Sequence, residues 1–414
     1  MSKKEIPDSA IEIVAKHIND RNNRQTNIPI SGPDENTETP HYFEIMSFDE
    51  IDKTDRKVFA IDGSYNSQEF YNGLSVAVYT VGYICFQNGR QIRLNDHDDP
   101  IVLGKSYFPN NILITNQSHS YAIFDELLEL APVKNFVDFA VDGEVDKLWG
   151  LGESTRELVC ATTAKLLSFC QEVLEWSLVY EISNLQDVRN GDYILRDGTL
   201  RSNNIKHKYL VSLGEHLKKK GVNVVAVTKN SPLKLELAST FKKIDNYLET
   251  QKKPMYPFSN KDPNRQKLCC WFEVPDDILE IAYSGGMFAK KNITGGRGFG
   301  LFFVARLDYV EKLQNYDWVV IDLNILDVVP GIAAGRDDRA LEKIKTIFLE
   351  LTRFTQEHYI LGYPYPLVEA HNAITLKSEF KQEIINRVKF ALYRDQRMDN
   401  VDIENLFLDI HERF

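Results

Sequence analysis

The chain has no apolar run near the roughly 20 residues that a membrane-crossing helix requires. Its opening, MSKKEIPDSAIEIVAKHIND, carries charges where a secretion signal needs an apolar core. Both absences point to a cytoplasmic protein with no membrane association. Cysteine is scarce: Cys85, Cys160, Cys170, Cys269 and Cys270 are odd in number and form no CxxC pair. Neither a disulfide framework nor a zinc knuckle is therefore expected, and all five read as buried thiols. No GxxxxGK[ST] segment is present. The glycine-rich stretch GGRGFG, Gly295 to Gly300, lacks that spacing and precedes a strand, so no helix N-terminus follows to hold a phosphate. ATP hydrolysis through a P-loop is excluded, and the stretch reads as a flexible connection. Basic charge is short too: 49 Lys and Arg face 60 Asp and Glu, a net charge of −11. That balance excludes a protein that coats nucleic acid with its whole surface. A local basic channel stays open, from clusters at Lys206 to Lys208, Lys218 to Lys220, Lys242-Lys243 and Lys252-Lys253, although such clusters are commonly solvated faces.

Core-forming residues are abundant. With 414 residues, 43% of them hydrophobic, the chain can bury a large core as one elaborated domain or as two. The first fifty or so residues read as an appendage. A helix is predicted over Ser9 to Asn19, and the polar NDRNNRQTNIPISGPDENTETP after it has too few apolar groups to pack. KVFAIDGS then reads as a strand, and GLSVAVYTVGYICFQ, Gly73 to Gln87, as a β-rich run that NGR, Asn88 to Arg90, turns into a hairpin. Between Ser154 and Trp176 the apolar residues recur at three- and four-residue steps, which predicts an amphipathic helix. Ser154 is its expected N-cap, with Glu157 closing a capping box.

Beyond that helix, DYILRDGTLRSNN reads as a strand running into an Asp-Gly turn at Asp197-Gly198. A helix over Ile205 to Lys220, the strand VNVVAVTK and a helix starting near Pro232 follow. The last third offers LFFVARLD and DWVVIDLNIL as strands, then helices at Asp338 to His358 and Val368 to Tyr393. Pro364 and Pro366 stiffen the turn before the last helix. Strands alternating with helices predict an α/β sheet with some parallel pairing.

AIDGS and LRDGT both place a carboxylate at the end of a predicted strand and follow it with glycine and a hydroxyl residue. Asp62 has two readings. It bonds to the backbone of a Gly63-Ser64 turn, or it holds a metal or faces a phosphate at the sheet edge where α/β proteins bind ligands. On neighbouring strands, Asp62 and Asp197 repel each other unless a cation lies between them. Oxygen ligands suit Mg²⁺ or Mn²⁺. Glu157, near the start of the intervening helix, is the third acid expected, its other reading being the capping box. Two metals roughly 4 Å apart would activate water and stabilise the leaving oxygen of a phosphodiester.

The ordered set AIDGS, TRELVCATTAKLL, ILRDGTL, AVTKNSPL, FFVARL and GYPYPLVEAH, from about Lys57 to Ala391, resembles the NurA nucleases. These are prokaryotic DNA-end-processing enzymes with an RNase H-like core related to the Argonaute catalytic domain. The resemblance implies an RNase H-like mixed sheet flanked by helices, with an N-terminal appendage (1–56), a nuclease domain (57–395) and a C-terminal tail (396–414). It implies that Asp62 and Asp197 bind metal and that Tyr363 and His371 complete the site. The family's glutamate maps to Glu157, with Glu153 and Glu181 as alternatives because EWSLVYEISNLQDVRNGDY lengthens the connection to Asp197. The implied metal ligands are Asp62, Glu157, Asp197 and His371.

Lys229 matches a family lysine and offers a point charge to a phosphate, or else is a solvated strand-end residue. Arg297 and Arg306 are expected strand contacts. His371, ordinarily titrating near 6.5, is a proton carrier or ligand, or a capping residue; Tyr363 bonds a phosphate or packs beside the prolines. The implied activity is that of a Mn²⁺- or Mg²⁺-dependent deoxyribonuclease, a 5′-3′ exonuclease or single-strand endonuclease in repair or phage defence. The implied partners are DNA, a second copy of the chain and a HerA-type hexameric ATPase. A catalytically inactive RNase H-like DNA-binding module and an actin-like phosphotransferase are the alternatives.

Overall fold

The computed structural model describes residues 8–22, 43–46, 55–70, 75–92, 104–107, 112–114, 117–149, 155–202, 204–250, 269–274, 276–283, 300–307, 318–324, 338–356, 362–376, 378–395 and 399–407. Its strands are β1 (Phe43–Met46), β2 (Lys57–Glu69), β3 (Ser75–Gln87), β4 (Arg90–Ile92), β5 (Gly104–Tyr107), β6 (Ile112–Ile114), β7 (Tyr193–Asp197), β8 (Asn223–Thr228), β9 (Cys269–Glu273), β10 (Leu301–Arg306) and β11 (Trp318–Leu323). The chain divides into two compact units. One comprises Asp55–Asp197, Ser202–Val224 and Pro366–Phe414; the other comprises Met1–Thr54, Gly198–Arg201 and Val225–Tyr365.

In the first unit, β2 and β3 pair antiparallel along their full length, from Lys57↔Gln87 to Glu69↔Ser75. Asn88 and Gly89 both take positive φ (52° and 71°), the conformation of a two-residue turn that matches strand twist, and β4 returns along β3 as expected. β7 lies on the other side of β2 and runs parallel to it, from Val58↔Tyr193 to Ile61↔Arg196. The start of β8 follows, where the Asn223 N–H donates to the Asp192 carbonyl at 2.9 Å. Three antiparallel strands followed by a parallel one reached through a helix make the RNase H-like mixed sheet expected from the sequence.

The connecting helix differs from its expectation. A short helix, Thr155–Val159, stops, and a second one runs over Thr163–Ser183. The cap is Thr162, whose side chain accepts from the Lys165 N–H at 3.3 Å; Ser154 lies outside the described residues. The long helix is amphipathic only in its first turns, where Ala164, Lys165 and Ser168 are exposed and Leu166 and Phe169 are buried; from Val173 to Val179 every residue is buried, as befits a segment covered on all sides. It packs against β2, β3 and the helices Gln117–Glu129 and Ala131–Val141. Phe169 stacks on Phe124 at 5.5 Å and meets the edge of Trp149 at 5.1 Å. Each such buried side chain contributes about 1.5–3 kcal/mol.

The helix expected over Val368 to Tyr393 is also two helices, Tyr365–Ile374 and Ser378–Asp395. Ile384, Ile385, Ile403 and Phe407 from the C-terminal helices pack with Phe70 and Val78, which fastens the end of the chain to the β2–β3 pair.

The second unit carries the antiparallel order β1-β9-β10-β11-β8. Residues 43–46, expected within an unpacked arm, pair with β9 as β1. Alternation sorts the two faces. Phe272, Phe302, Val304 and Trp318 join Phe241, which stacks on Trp318 at 4.5 Å. On the other face Trp271 stacks on Phe348 of the helix Asp338–Gln356 at 4.7 Å. With both faces covered, the strands read as unbroken apolar runs. Among the described residues, no helix is long and apolar enough to cross a membrane.

Candidate metal centre

The register of β2 and β7 builds the site. Because Ile61 pairs with Arg196, the next residues, Asp62 and Asp197, share one face on neighbouring strands, about 4.8 Å apart in backbone spacing. The helix Tyr365–Ile374 brings His371 to the same place. Ligand atoms of Asp62, Asp197 and His371 all lie within 4.8 Å of one another. The His371 Nδ1 is 2.8 Å from Asp62 Oδ2, and the Gly63 N–H donates to Asp62 Oδ1 at 2.8 Å. Exposure grades across the group, from Asp62 at 6% through half-buried Asp197 to a His371 side chain that is 50% exposed. The centre is therefore open to solvent on the histidine side.

Burial, and then the charge of Asp197, raise the Asp62 carboxyl above its ordinary value of 3.8; the Gly63 N–H and His371 oppose the rise. Two like charges at one partly buried place are what a cation would relieve. Two carboxylates and an imidazole suit Mn²⁺, and the carboxylates suit Mg²⁺.

Sequence reasoning missed Glu175. It is fully buried in the middle of Thr163–Ser183, its Oε2 2.7 Å from Arg196 Nη2 and its Oε1 accepting from Gln171 Nε2 at 2.7 Å. Burial pushes this carboxyl from 4.5 up to about 7 against the pull of Arg196 and Gln171, and the charge of Asp62 adds to the rise. Alternation along β2 sets the arrangement: Gly63 and Arg196 face the helix, while Asp62 and Asp197 face the other way. A Cβ at position 63 would meet Gln171 Cγ and Glu175 Oε1 at 2.6 Å. Glycine here permits the close approach of Gln171 and Glu175 to β2 at the residue after Asp62. The available signal was an acid interrupting the apolar run VLEWSLV.

The other expected residues fall elsewhere. Glu157 is exposed on the short helix Thr155–Val159 and is not in the ligand cluster, because the helix break at 160–162 separates it from the strand-facing helix. Glu181 lies on Thr163–Ser183 and acts electrostatically on Tyr83. Glu153 and Arg297 lie outside the described residues, as does GGRGFG up to Phe299. In the second unit, Tyr363 is 3% exposed and its hydroxyl donates to the Val227 carbonyl at 3.1 Å, so it packs and does not offer that proton to a phosphate. The half-buried Lys229 ammonium sits 4.0 Å from the Tyr363 ring centroid. Arg306, expected as a DNA contact, is 3% exposed on β10. Asp62 does bond to the following backbone amide, but the Gly63-Ser64 turn is absent: β2 continues to Glu69. Cys85, Cys160, Cys170 and Cys270 are buried free thiols.

Residues 56–237 match the family model of the NurA domain. A crystal structure of NurA aligns at 14% sequence identity over 96% of this chain and 99% of that one, with a TM-score of 0.35. No curated protein matches the chain.

Proposed function

We propose that this chain, whose residues 56–237 match the NurA domain model, is a nuclease of that kind, a Mn²⁺- or Mg²⁺-dependent deoxyribonuclease. The observation that carries the reading is the convergence of Asp62, Asp197 and His371 within 4.8 Å, with Glu175 one strand residue away at Gly63. Asp62 and Asp197 hold the metal, His371 adds a nitrogen ligand or a proton acceptor, and Glu175 replaces Glu157 as the third acid. A bound divalent cation supplies Lewis-acid polarisation of a phosphodiester and a more acidic water.

The chain's own groups do the rest. With Asp62 ionised, the His371 Nδ1–H donates to it, which leaves Nε2 with a lone pair able to take a proton. Arg196 holds Glu175 by an ion pair and orients its carboxylate. Burial raises the Glu175 carboxyl to about 7 while Arg196 favours its ionised form.

The substrate proposed is DNA at its ends, cut by 5′-3′ exonuclease or single-strand endonuclease action, in repair or phage defence. The net charge of −11 attracts DNA weakly, and no P-loop supplies movement. A HerA-type hexameric ATPase that delivers DNA to a dimer of this chain would supply both, and tethering raises the effective substrate concentration. A catalytically inactive RNase H-like DNA-binding module is the alternative, and Glu175 beside Gly63 is what favours the enzyme.

The test is cleavage of linear single- and double-stranded DNA with Mn²⁺, Mg²⁺ or EDTA, for the parent chain, Glu175→Gln and Glu157→Gln. Metal-dependent cleavage, lost in Glu175→Gln and kept in Glu157→Gln, is expected. Cleavage that survives both EDTA and Glu175→Gln overturns the proposal.

A further inference from the structure

We propose that Ser64 is a positioning residue that latches the His371 helix to the strand carrying Asp62, so that the imidazole is held at the carboxylates. The inference rests on the metal-site reading above. Asp62 and Ser64 are two apart on β2 and project to the same face. Asp62 Oδ2 takes the His371 Nδ1 at 2.8 Å, and Ser64 Oγ accepts the backbone N–H of Leu376 at 3.0 Å.

The helix Tyr365–Ile374 explains why Leu376 needs that acceptor. The last turn closes with the Thr375 N–H on the His371 carbonyl at 2.8 Å. Leu376 follows, where the helical ladder has ended and an amide depends on another partner. Its side chain packs against the cluster of Phe70, Val78 and Ile385. One strand thus grips the helix at two points five residues apart. A single attachment leaves the helix free to pivot, whereas two fix both its position and its rotation.

The two grips differ in kind. The Asp62 bond changes with the charge of either partner and competes with a metal for the same carboxylate. The Ser64 bond is neutral, lies on the backbone and persists in either case. Asp62, Gly63 and Ser64 therefore each set one part of the centre: the ligand, the approach of Glu175 and the seat of His371.

The experiment compares the parent chain with Ser64→Ala, Ser64→Thr, His371→Ala and the Ser64→Ala/His371→Ala double variant. It reads amide hydrogen exchange at Leu376 in metal-free protein and Mn²⁺ affinity by calorimetry. Loss of one hydrogen bond should speed exchange at Leu376 by about 3- to 10-fold and weaken Mn²⁺ binding by a similar factor, with Thr restoring both. In the His371→Ala background, Ser64→Ala should leave Mn²⁺ affinity within about 1.5-fold, since the helix then has no ligand to seat. If Ser64→Ala weakens Mn²⁺ equally in both backgrounds, or speeds exchange without touching affinity while His371→Ala weakens it, Ser64 is a structural cap and the proposal fails alone. If His371→Ala leaves Mn²⁺ affinity unchanged, the histidine reading fails and takes the latch with it.

Discussion

Asp62-Gly63-Ser64 and Asp197-Gly198-Thr199 are the same pattern written twice, yet only the carboxylates play matching parts. At the first, β2 runs straight on to Glu69, and Gly63 is there because a helix side chain occupies the space of a Cβ. At the second, β7 stops at Asp197 and Gly198 takes φ +116°, a conformation that L residues rarely adopt. Ser64 reaches Leu376 in the C-terminal region, while Thr199 bonds within its own turn, to Arg201. A repeated motif thus repeats its chemistry at the position that meets the ligand. The residues behind it answer to whatever packs against each copy.

The strongest test of the shared part is Asp62→Asn against Asp197→Asn. Both should cut nuclease activity by more than about 100-fold, beyond the range usual for residues that merely support metal ligands. Their effects on stability should separate. The folded-state pKa of Asp62 is raised, so its favourable contribution is complete below its ordinary 3.8 and is lost as pH rises through the folded value. At neutral pH the ionised group therefore costs stability. Asp62→Asn should raise the melting temperature of metal-free protein at pH 7.5 and lose that advantage toward acid pH, and it should abolish stabilisation by Mn²⁺. A melting temperature that falls at neutral pH would remove the charge-repulsion account of the centre.

The glycines come next and should break the symmetry. Gly63→Ala forces Gln171 and Glu175 away from contacts of 2.6 Å. Overpacking of that kind costs about 1–3 kcal/mol, and displacing Glu175 should lower kcat by about 10- to 100-fold. Gly198→Ala meets backbone strain of about 1–3 kcal/mol instead, with Asp197 still fixed by the pairing of β7 on β2. Its kcat should stay within about threefold, as for a change that touches stability without touching the site. Measured side by side, equal losses of activity at equal losses of stability would mean that Gly63 serves the strand and not the approach of Glu175.

How much of this was legible in the sequence follows from how local each feature is. The two aspartates and the hairpin at Asn88-Gly89 are written in neighbouring residues, so strand period and turn chemistry revealed them. His371 depended on family resemblance, because nothing near it in the chain says that a helix 309 residues on will meet Asp62. Glu157, with Glu153 and Glu181 as alternatives, is the acid expected from a helix read as continuous across 160–162, where the chain breaks and restarts at the Thr162 cap; Glu175 has no place in that reading. The segment from Val173 to Val179 is buried on every face and carries no periodic signal, so nothing in the pattern says which acid points at the strand. Tyr363 and Arg306 are both buried, where residue type suggested phosphate contacts.

The smallest effect expected is at Thr199. Its hydroxyl accepts the Arg201 N–H at 3.3 Å, a bond that spans two residues and is nearly as available to water in a half-exposed turn. A hydrogen bond of this sort contributes about 0.5–1.5 kcal/mol at most. The same segment is also held by the Leu200 N–H on buried Asp322 at 3.0 Å and by the Gly198 N–H on the Val227 carbonyl at 3.1 Å. Removing one of these anchors should leave the other two carrying the turn. Thr199→Ala is therefore expected to keep both Mn²⁺ affinity and kcat within about twofold of the parent, where Ser64→Ala does not keep the affinity. A loss at Thr199 as large as that at Ser64 would show that the two hydroxyls do equivalent work, and that reach along the chain is the wrong measure of what the third residue of the motif is for.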